Sequence, residues 1–333
     1  MKMKKAILVV VIVLLVSLVF LIFQSDSSVY TAEIDTTLRS MKKADLTLMV
    51  YTDIHHDPSK DEPHVLTEMT DVMAQLWEKG KFDALWNLGD LINGHNTTKV
   101  EAIEQIKEVE EAEIKVTKDA HRVAGNHDNN IQATYPSNAG YGPEEVLSSS
   151  ELNTVLENTA TSQTEHHSSL HPTDYYVDFD SIRVVCIAAD DTTWTEETAE
   201  WLQDEALKTE SQVLILAHVP TRPEWGFRND VVHGELIESE LHKFIASGGT
   251  IIAYIHGHDH GDMINDTGEW KEVAIGCARF QVPTSNGTEG MTFQDRHRGD
   301  ATKLLFDVVS VDMEAREVRF ARFGAGNDRV IKY

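Results

Sequence analysis

The sequence predicts an α/β protein behind an apolar N-terminal segment. From residue 46 onward, apolar runs typical of strands alternate with segments of helical periodicity, and the strand-like runs end in polar residues. The chain has 333 residues, which is enough for a substantial hydrophobic core. Because no internal repeat and no second boundary follows residue 44, we expect a single domain over residues 44–333.

The composition is strongly acidic, with a formal net charge of −26 and a sequence pI of about 4.9. This charge argues against binding to long nucleic acids or to an anionic membrane surface. The two cysteines, Cys186 and Cys277, each lie in an apolar run. We therefore expect two buried thiols rather than a disulfide.

Residues 1–24 have the pattern of a membrane anchor. Lysines precede an uncharged run over residues 6–23, which is long enough to span a bilayer and longer than the apolar part of a usual cleaved signal. The lysines favour a cytoplasmic N-terminus. We predict a single-pass signal anchor in the cell membrane with the remainder of the chain extracytoplasmic. A cleaved export signal and a secreted protein are the alternative. Residues 25–43 are polar and indicate a linker.

Strands and helices alternate through the first part of the domain. Strand-like runs at residues 46–51, 82–88 and 121–124 are separated by helical patterns at residues 63–79 and 99–116. In the first pattern, apolar residues recur at three- and four-residue spacing, as in a helix with one apolar face. The second is a charged helix with apolar positions at Ile103, Ile106, Val109 and Ile114.

The second part of the domain begins with a long polar segment over residues 129–172, in which a helix is predicted around residues 143–156. Segments of this length commonly carry specificity. The further elements expected are strands at residues 175–179, 182–188, 212–217, 250–255, 270–275, 302–311 and 317–323, and helices at residues 195–208 and 231–247.

A histidine-rich turn, containing His256, His258 and His260, follows the strand at residues 250–255. In an extended or turning segment, His258 and His260 point to the same side. Gly257 permits a tight turn and the close approach of a ligand. Imidazole is a ligand for Zn, Mn, Fe and Ni. By itself, however, the turn is equally consistent with a polar loop.

Oxygen and nitrogen donors follow five of the predicted strands. In α/β sheets, ligands bind at the carboxyl ends of strands, so donors at five strand ends predict one shared site. An ordinary polar loop explains any single segment adequately, but it does not explain all five. In chain order, the donors are Asp53 and His55, Asp90, Asn126 and His127, His218, and His258 and His260.

The order and local spacing of these donors resemble the calcineurin-like metallophosphoesterases. The resemblance extends over residues 46–322, nearly the whole chain outside the predicted anchor. It implies a four-layer α/β/β/α sandwich, in which two mixed sheets pack together and helices flank them. The matching blocks are Asp53-x-His55, Gly89-Asp90, Gly125-Asn126-His127-Asp128, His218 and Gly257-His258-x-His260.

The resemblance also implies two divalent or trivalent transition metals. The donor types are compatible with Mn, Fe or Zn. A carboxylate can bridge two cations, while neutral imidazoles complete the coordination shell without making it too anionic. One metal would be held by Asp53, His55 and His260 and the other by Asn126, His218 and His258, with Asp90 bridging them.

The implied reaction is hydrolysis of a phosphomonoester or phosphodiester bond by in-line attack of a metal-bound hydroxide. The expected substrate is a small phosphoester. His127 resembles the family's general acid, which protonates the leaving group or contacts a phosphoryl oxygen. Asp128 and Asn93 are candidates to orient His127 or to hold the phosphoryl group, and a turn-forming role is the alternative for both.

Two departures narrow the resemblance. Asn93, Gly94 and His95 stand where the Ser/Thr protein phosphatases have Asp-Arg-Gly, so the phosphate-binding arginine of that branch is missing. Asn93 also occupies the position of the tyrosine ligand of the purple acid phosphatases, which argues against an Fe(III)–tyrosinate centre. The remaining pattern is most similar to bacterial phosphodiesterases and phosphomonoesterases. The alternatives are a nuclease, a lipid or wall-polymer phosphodiesterase, and a catalytically inactive, metal-bound surface interaction domain.

Overall fold

A computed structural model describes residues 30–59, 64–225, 230–281 and 290–333 of the chain. The predicted membrane anchor over residues 1–24 lies outside these ranges. Within them, no helix combines the length and the apolar character needed to cross a membrane.

The described chain alternates strands and helices from residue 46 onward, as the sequence predicts. The helices are α1 (residues 30–40), α2 (Val65–Lys79), α3 (Lys99–Val116), α4 (Ser149–Leu156), α5 (Glu196–Trp201) and α6 (Gly234–Ala246). The strands are β1 (Leu46–Tyr51), β2 (Ala84–Asn87), β3 (Ala120–Arg122), β4 (His166–His167), β5 (Tyr175–Phe179), β6 (Ile182–Ile187), β7 (Gln212–Ala217), β8 (Ile251–His256), β9 (Met263–Asp266), β10 (Lys271–Ala274), β11 (Leu305–Asp312), β12 (Glu317–Gly324) and β13 (Arg329–Lys332).

The strands form two mixed sheets. The first sheet has the order β13-β12-β11-β1-β2-β3, and its strands β1, β2 and β3 are parallel to one another. The second sheet has the order β4-β5-β6-β7-β8-β10-β9, and its strands β6, β7, β8 and β10 are parallel. In each sheet, the parallel strands therefore bring their carboxyl ends to the same edge.

The sheets pack face to face, because successive residues of each strand point to opposite sides. Along β1, Leu46, Leu48 and Val50 lie in the core between the sheets, whereas Met49 and Tyr51 pack with the helices. Residues of α1 to α4 cover the outer face of the first sheet, and residues of α5 and α6 cover that of the second. This arrangement confirms the four-layer α/β/β/α sandwich.

Residues 30–40 differ from the sequence prediction. A polar linker is expected over residues 25–43, whereas the structure has helix α1 over residues 30–40. Ile34 of this helix is fully buried, and Tyr30 Oη donates a hydrogen bond to Glu68 Oε2 at 3.1 Å. The apolar side chains of α1 are few among polar neighbours, so its helical period is weak in the sequence.

Strands β4, β9 and β13 are not predicted from the sequence pattern. All three are edge strands, which pair with a single neighbour. Each is short and includes exposed residues, so none has the continuous apolar pattern of the buried strands. The helix predicted over residues 195–208 is divided in the structure, because α5 continues into a π-helical turn at Leu202–Ala206.

Candidate metal centre

The carboxyl ends of five strands meet at one end of the sandwich. Strands β1, β2 and β3 contribute from the first sheet, and β7 and β8 contribute from the second. The loops after these strands place carboxylate oxygens and imidazole nitrogens within 4.8 Å of one another in two groups. The first group contains Asp53, His55, Asp90 and His260, and the second contains Asp90, His218 and His258.

The first group is centred on Asp53. Its Oδ1 atom lies 3.3 Å from His260 Nε2 and 3.7 Å from His55 Nε2. The Nε2 atoms of the two histidines are 3.0 Å apart, and His55 Nε2 is 3.5 Å from Asp90 Oδ2. Four metal-type donors from both sheets therefore converge at this point.

The second group shares Asp90 with the first. Asp90 Oδ1 lies 3.3 Å from His218 Nε2, so the two oxygens of this carboxylate face different groups. Asn126 Oδ1 lies 3.1 Å from His218 Nε2 and 3.0 Å from His258 Nδ1. The structure thus places all seven of the predicted metal ligands in the two sets that the resemblance implies.

Five of the donor residues have left-handed backbone conformations. The φ angles are 55° at Asp53, 44° at His55, 52° at Asp90, 69° at His258 and 61° at His260. Such angles are uncommon for residues other than glycine, and each has an energetic cost that the surrounding structure must offset. The loops are therefore held in the conformation that turns their side chains into the site.

Gly257 is required for space rather than for an unusual φ angle. A Cβ atom at this position would lie 2.6 Å from Asp53 Oδ2 and 2.9 Å from Thr52 Cβ, and closer still to Thr52 Oγ1. The sequence predicts that a group comes close to Gly257, and in the structure this group is the donor Asp53. The main-chain N–H of His258 then donates to Asp53 Oδ2 at 3.0 Å.

His127 stands beside Asp90, the residue common to both groups. Its main-chain N–H donates to Asp90 Oδ1 at 2.9 Å, and its Nε2 lies 3.8 Å from Asp90 Oδ2. Its Nδ1–H donates to the main-chain carbonyl of Asn93 at 2.6 Å. This bond selects the tautomer and orients the ring, so that Nε2 is left for chemistry in the site.

Asp128 joins two of the donor loops. Its carboxylate accepts hydrogen bonds from the main-chain N–H groups of Gly125 at 2.7 Å, Leu91 at 2.7 Å and Ile92 at 3.3 Å. No hydrogen bond in the described part of the chain joins Asp128 to the His127 ring. The geometry therefore favours the loop-forming alternative for Asp128, while Asn93 orients His127 through its main chain.

The central carboxylates favour positive charge in the site. Burial opposes a charge on His218, but Asp90 and Asp53 outweigh burial and raise the pKa of His218 to about 9. Burial likewise opposes charge on Asp53 and Asp90, but neighbouring histidines lower the pKa of both carboxyls. A site that stabilises imidazolium in this way also stabilises a metal cation.

The donor set fits metal ions. Asp53 Oδ1 is buried and has no hydrogen-bond partner among the described residues, which is a costly state for a carboxylate oxygen. His218 Nδ1–H donates to the carbonyl of Leu88 at 2.9 Å, which leaves Nε2 as a ligand atom. Carboxylate, amide and imidazole donors together suit Mn, Fe and Zn.

Arg279 reaches the site although no sequence motif includes it. Its Nη1 donates to Asn93 Oδ1 at 3.3 Å, and its main-chain N–H donates to the carbonyl of Asp53 at 3.1 Å. Gln281 Nε2, two residues later, lies 3.0 Å from His260 Nδ1. The available signal in the sequence is a lone arginine in an apolar run, and only the fold shows that this run returns to the donors.

Comparison with known proteins identifies one family. The family model described as calcineurin-like phosphoesterase matches residues 46–262. No curated protein matches the chain.

The similar solved structures are remote in sequence. A dimetal phosphatase from Danio rerio has a TM-score of 0.56 and 15% identity, with 87% of this chain and 100% of that chain covered. GAP50, the anchor in the inner membrane complex of Plasmodium, has a TM-score of 0.48 and 11% identity, with 84% of each chain covered. A single mutant of Vps29 from Entamoeba histolytica has a TM-score of 0.37 and 8% identity, with 86% of this chain and 99% of that chain covered. The similarity to the Danio rerio structure supports the fold.

Proposed function

The chain belongs to the calcineurin-like phosphoesterase family, and we propose that it is a binuclear-metal-dependent phosphoesterase. The family and the donor cluster support divalent metals and a phosphoester substrate. The proposed reaction is hydrolysis of a phosphomonoester or phosphodiester bond in a small molecule.

The position of Asp90 between two groups of metal-type donors carries this proposal. Its Oδ2 is 3.5 Å from His55 Nε2, and its Oδ1 is 3.3 Å from His218 Nε2. A carboxylate in this position suits the bridging of two cations roughly 3.5–4 Å apart. Ordinary polar loops do not account for aspartates and histidines converging in a buried place, because the charged forms are costly there.

Apart from holding the metals, the protein would contribute a general acid, His127, and the contacts that orient it. Two bound metals would supply an activated water and would offset charge on the phosphoryl oxygens. Because the Nδ1 proton of His127 is committed to the Asn93 carbonyl, the proton for the leaving oxygen would come from Nε2–H of the doubly protonated ring, which then returns to the neutral Nδ1–H form. The bond from the main-chain N–H of His127 to Asp90 keeps this acid beside the shared carboxylate.

Arg279 supplies a cation in place of the phosphate-binding arginine that the Ser/Thr protein phosphatases have and this sequence lacks. Its guanidinium donates to the Asn93 side chain, while the Asn93 carbonyl accepts from the His127 ring. Guanidinium groups bind phosphoryl oxygens through fixed, charge-assisted hydrogen bonds. We propose that the Arg279 guanidinium binds the phosphoryl group of the substrate. Asn93 then positions both Arg279 and His127.

The catalytic domain is proposed to be tethered outside the cytoplasm. The support is the uncharged segment over residues 6–23, which follows a lysine-rich start. Protease treatment of intact and permeabilised cells tests this location. Digestion in intact cells is expected, protection until permeabilisation would refute it, and release of the domain into the medium would select the cleaved-signal alternative.

Hydrolysis assays on the full-length protein, purified in detergent, test the activity. We expect Mn²⁺-dependent turnover of p-nitrophenyl phosphate or bis-p-nitrophenyl phosphate and bound metal by elemental analysis. The variant His127→Gln should lose turnover and keep its metal, whereas the exposed control Asp71→Asn should behave as wild type. Absence of both turnover and bound metal would overturn the proposal, and bound metal without turnover would favour the inactive interaction domain.

A further inference from the structure

A cavity of about 290 Å³ lies beside the metal donors, at the carboxyl ends of β3 and β6. Gly125 and Asn129, from the loop after β3, line one side, and Asp190 and Asp191, from the loop after β6, line another. The N-terminal end of α4 completes the wall. Gly125 directly precedes the donor Asn126 and packs against Asp90, so the cavity adjoins the metal donors. Its volume is at the lower end of the roughly 300–1,000 Å³ typical of small-molecule sites.

Asp191 is one of the two acidic residues that line this cavity. It lies in a tight turn in which Asp190 and Thr193 exchange main-chain hydrogen bonds at 3.0 and 2.9 Å, and its own φ angle is left-handed at 59°. Burial raises the pKa of the Asp191 carboxyl, while the nearby charges of His127 and His258 lower it. Asp191 and Gly125 line the same cavity, and Gly125 packs directly against Asp90, so Asp191 faces the side of the site where the shared carboxylate lies.

The lining of the cavity accepts hydrogen bonds and repels anions. Asp190 Oδ1 lies 3.2 Å from His171 Nε2, and Asp191 Oδ2 accepts from Tyr135 Oη at 3.3 Å. The remaining lining side chains are serine and threonine hydroxyls, one asparagine amide and aliphatic groups, and the described residues that line it include no lysine or arginine. Alcohol hydroxyl groups would find acceptors here. The charge of Asp190 is paired with His171, so a second phosphate would meet the carboxylate of Asp191.

We propose that this cavity binds the leaving alcohol of the substrate, and that this alcohol is a compact, uncharged polyhydroxy group of the glycerol or sugar type. The inference rests on the proposed function, because the leaving oxygen must lie at His127 Nε2 for protonation. From that point the alcohol extends toward Asp191. Phosphoesters of small polyols are then preferred over substrates whose leaving group carries another phosphate.

Three substrates assayed with the full-length, Mn²⁺-loaded protein test the inference. They are glycerol 3-phosphate, ADP and p-nitrophenyl phosphate, and kcat/KM is measured for each. Asp191→Asn removes the charge, and asparagine tolerates the left-handed φ angle at this position. Ala189→Leu narrows the cavity without a change of charge, and Asp71→Asn, on an exposed position of α2, is the matched control.

The expected result is a shift in substrate ratios. Asp191→Asn should lower kcat/KM for glycerol 3-phosphate relative to p-nitrophenyl phosphate at least tenfold and should raise the relative value for ADP. Ala189→Leu should lower the glycerol 3-phosphate ratio, and Asp71→Asn should leave the ratios unchanged.

Two outcomes separate failure of the cavity from failure of the enzyme. Wild-type protein without turnover of any phosphoester would overturn the proposed function itself. Turnover of p-nitrophenyl phosphate, with substrate ratios unmoved by both cavity variants, would overturn the leaving-alcohol assignment alone. A wild-type preference for ADP or for O-phosphoethanolamine over glycerol 3-phosphate would overturn the uncharged polyol class.

Discussion

Replacement of Gly257 by alanine tests how closely the metal donors are packed. The new Cβ atom would lie 2.6 Å from Asp53 Oδ2, whereas ordinary van der Waals contact begins at 3.4 Å. The carboxylate of Asp53 must therefore retreat by about 0.8 Å, and the Thr52 hydroxyl, which is closer still to the new Cβ atom, must move as well. Both movements strain the hydrogen bonds that Asp53 Oδ2 accepts from Thr52 Oγ1 and the His258 main chain at 2.7 and 3.0 Å. A displacement near 1 Å at a reacting centre costs on the order of 100-fold in rate. We expect kcat/KM to fall between about 10- and 100-fold.

The assay combines turnover, metal content and thermal unfolding of the same preparations. Overpacking typically costs about 1–3 kcal/mol, so the Gly257→Ala protein should still fold at 25 °C but bind less metal. Gly299→Ala is the matched control, because a Cβ atom there meets nothing within 4 Å. Wild-type kcat/KM and metal content in Gly257→Ala would refute the inference that this glycine makes room for a metal ligand.

The remaining predictions concern the shared carboxylate, the metals, a buried histidine and a buried ion pair. Asp90→Asn should lower kcat at least about 100-fold and should also lower the metal content and the melting temperature, since both donor groups lose their common ligand. Turnover above a tenth of wild type would exclude the bridge. Chelation by EDTA should abolish hydrolysis and lower the melting temperature, and added Mn²⁺ should restore both. If EDTA leaves the melting temperature unchanged, metal does not bind to the folded state. Burial opposes the charge on His171, but Asp174 helps to raise the pKa of His171 to about 10. The stabilisation from this charge is therefore fully present below the pKa of histidine in the unfolded chain, near 6.5, and is lost as the pH rises toward 10. Urea denaturation from pH 6 to 10 should show this loss in wild type and not in His171→Gln. Asp307→Ala leaves the buried guanidinium of Arg322 without one carboxylate partner and should cost about 3–5 kcal/mol in urea denaturation, whereas a cost below about 1 kcal/mol would show that the pair is not stabilising.

Most of the fold could be predicted from the sequence because its buried strands have continuous apolar patterns. Strand β7 and helix α3 have in the structure the bounds that the patterns predict. The unpredicted elements are those with little apolar surface to mark them, namely helix α1 and the edge strands β4, β9 and β13. Their positions depend on partners far away in the chain, as the bond between Tyr30 and Glu68 illustrates.

The donor residues were predictable for a different reason. Each follows a strand, and the carboxyl ends of parallel strands meet, so their local motifs contain most of the information about the site. Arg279 and Asp191 have no such motif. Arg279 comes to Asn93 across 186 residues of sequence, and Asp191 borders the cavity because its loop follows the strand next to β7. Contacts of this kind follow from tertiary packing and leave no periodic signal.

Each donor group draws side chains from both sheets, and this has a consequence for the order of folding. His55 and His260, whose Nε2 atoms lie 3.0 Å apart, are separated by 205 residues of sequence. Bringing such distant segments together requires loop closure, which costs entropy before any contact is made. Contacts of this kind therefore form late in folding. Complete donor groups therefore exist only after the two sheets have docked, and a bound ion would cross-link the sheets at one end of the sandwich. Metal loading would then be the closing step of maturation, and loss of metal should accelerate unfolding of the whole domain rather than loosen a single loop.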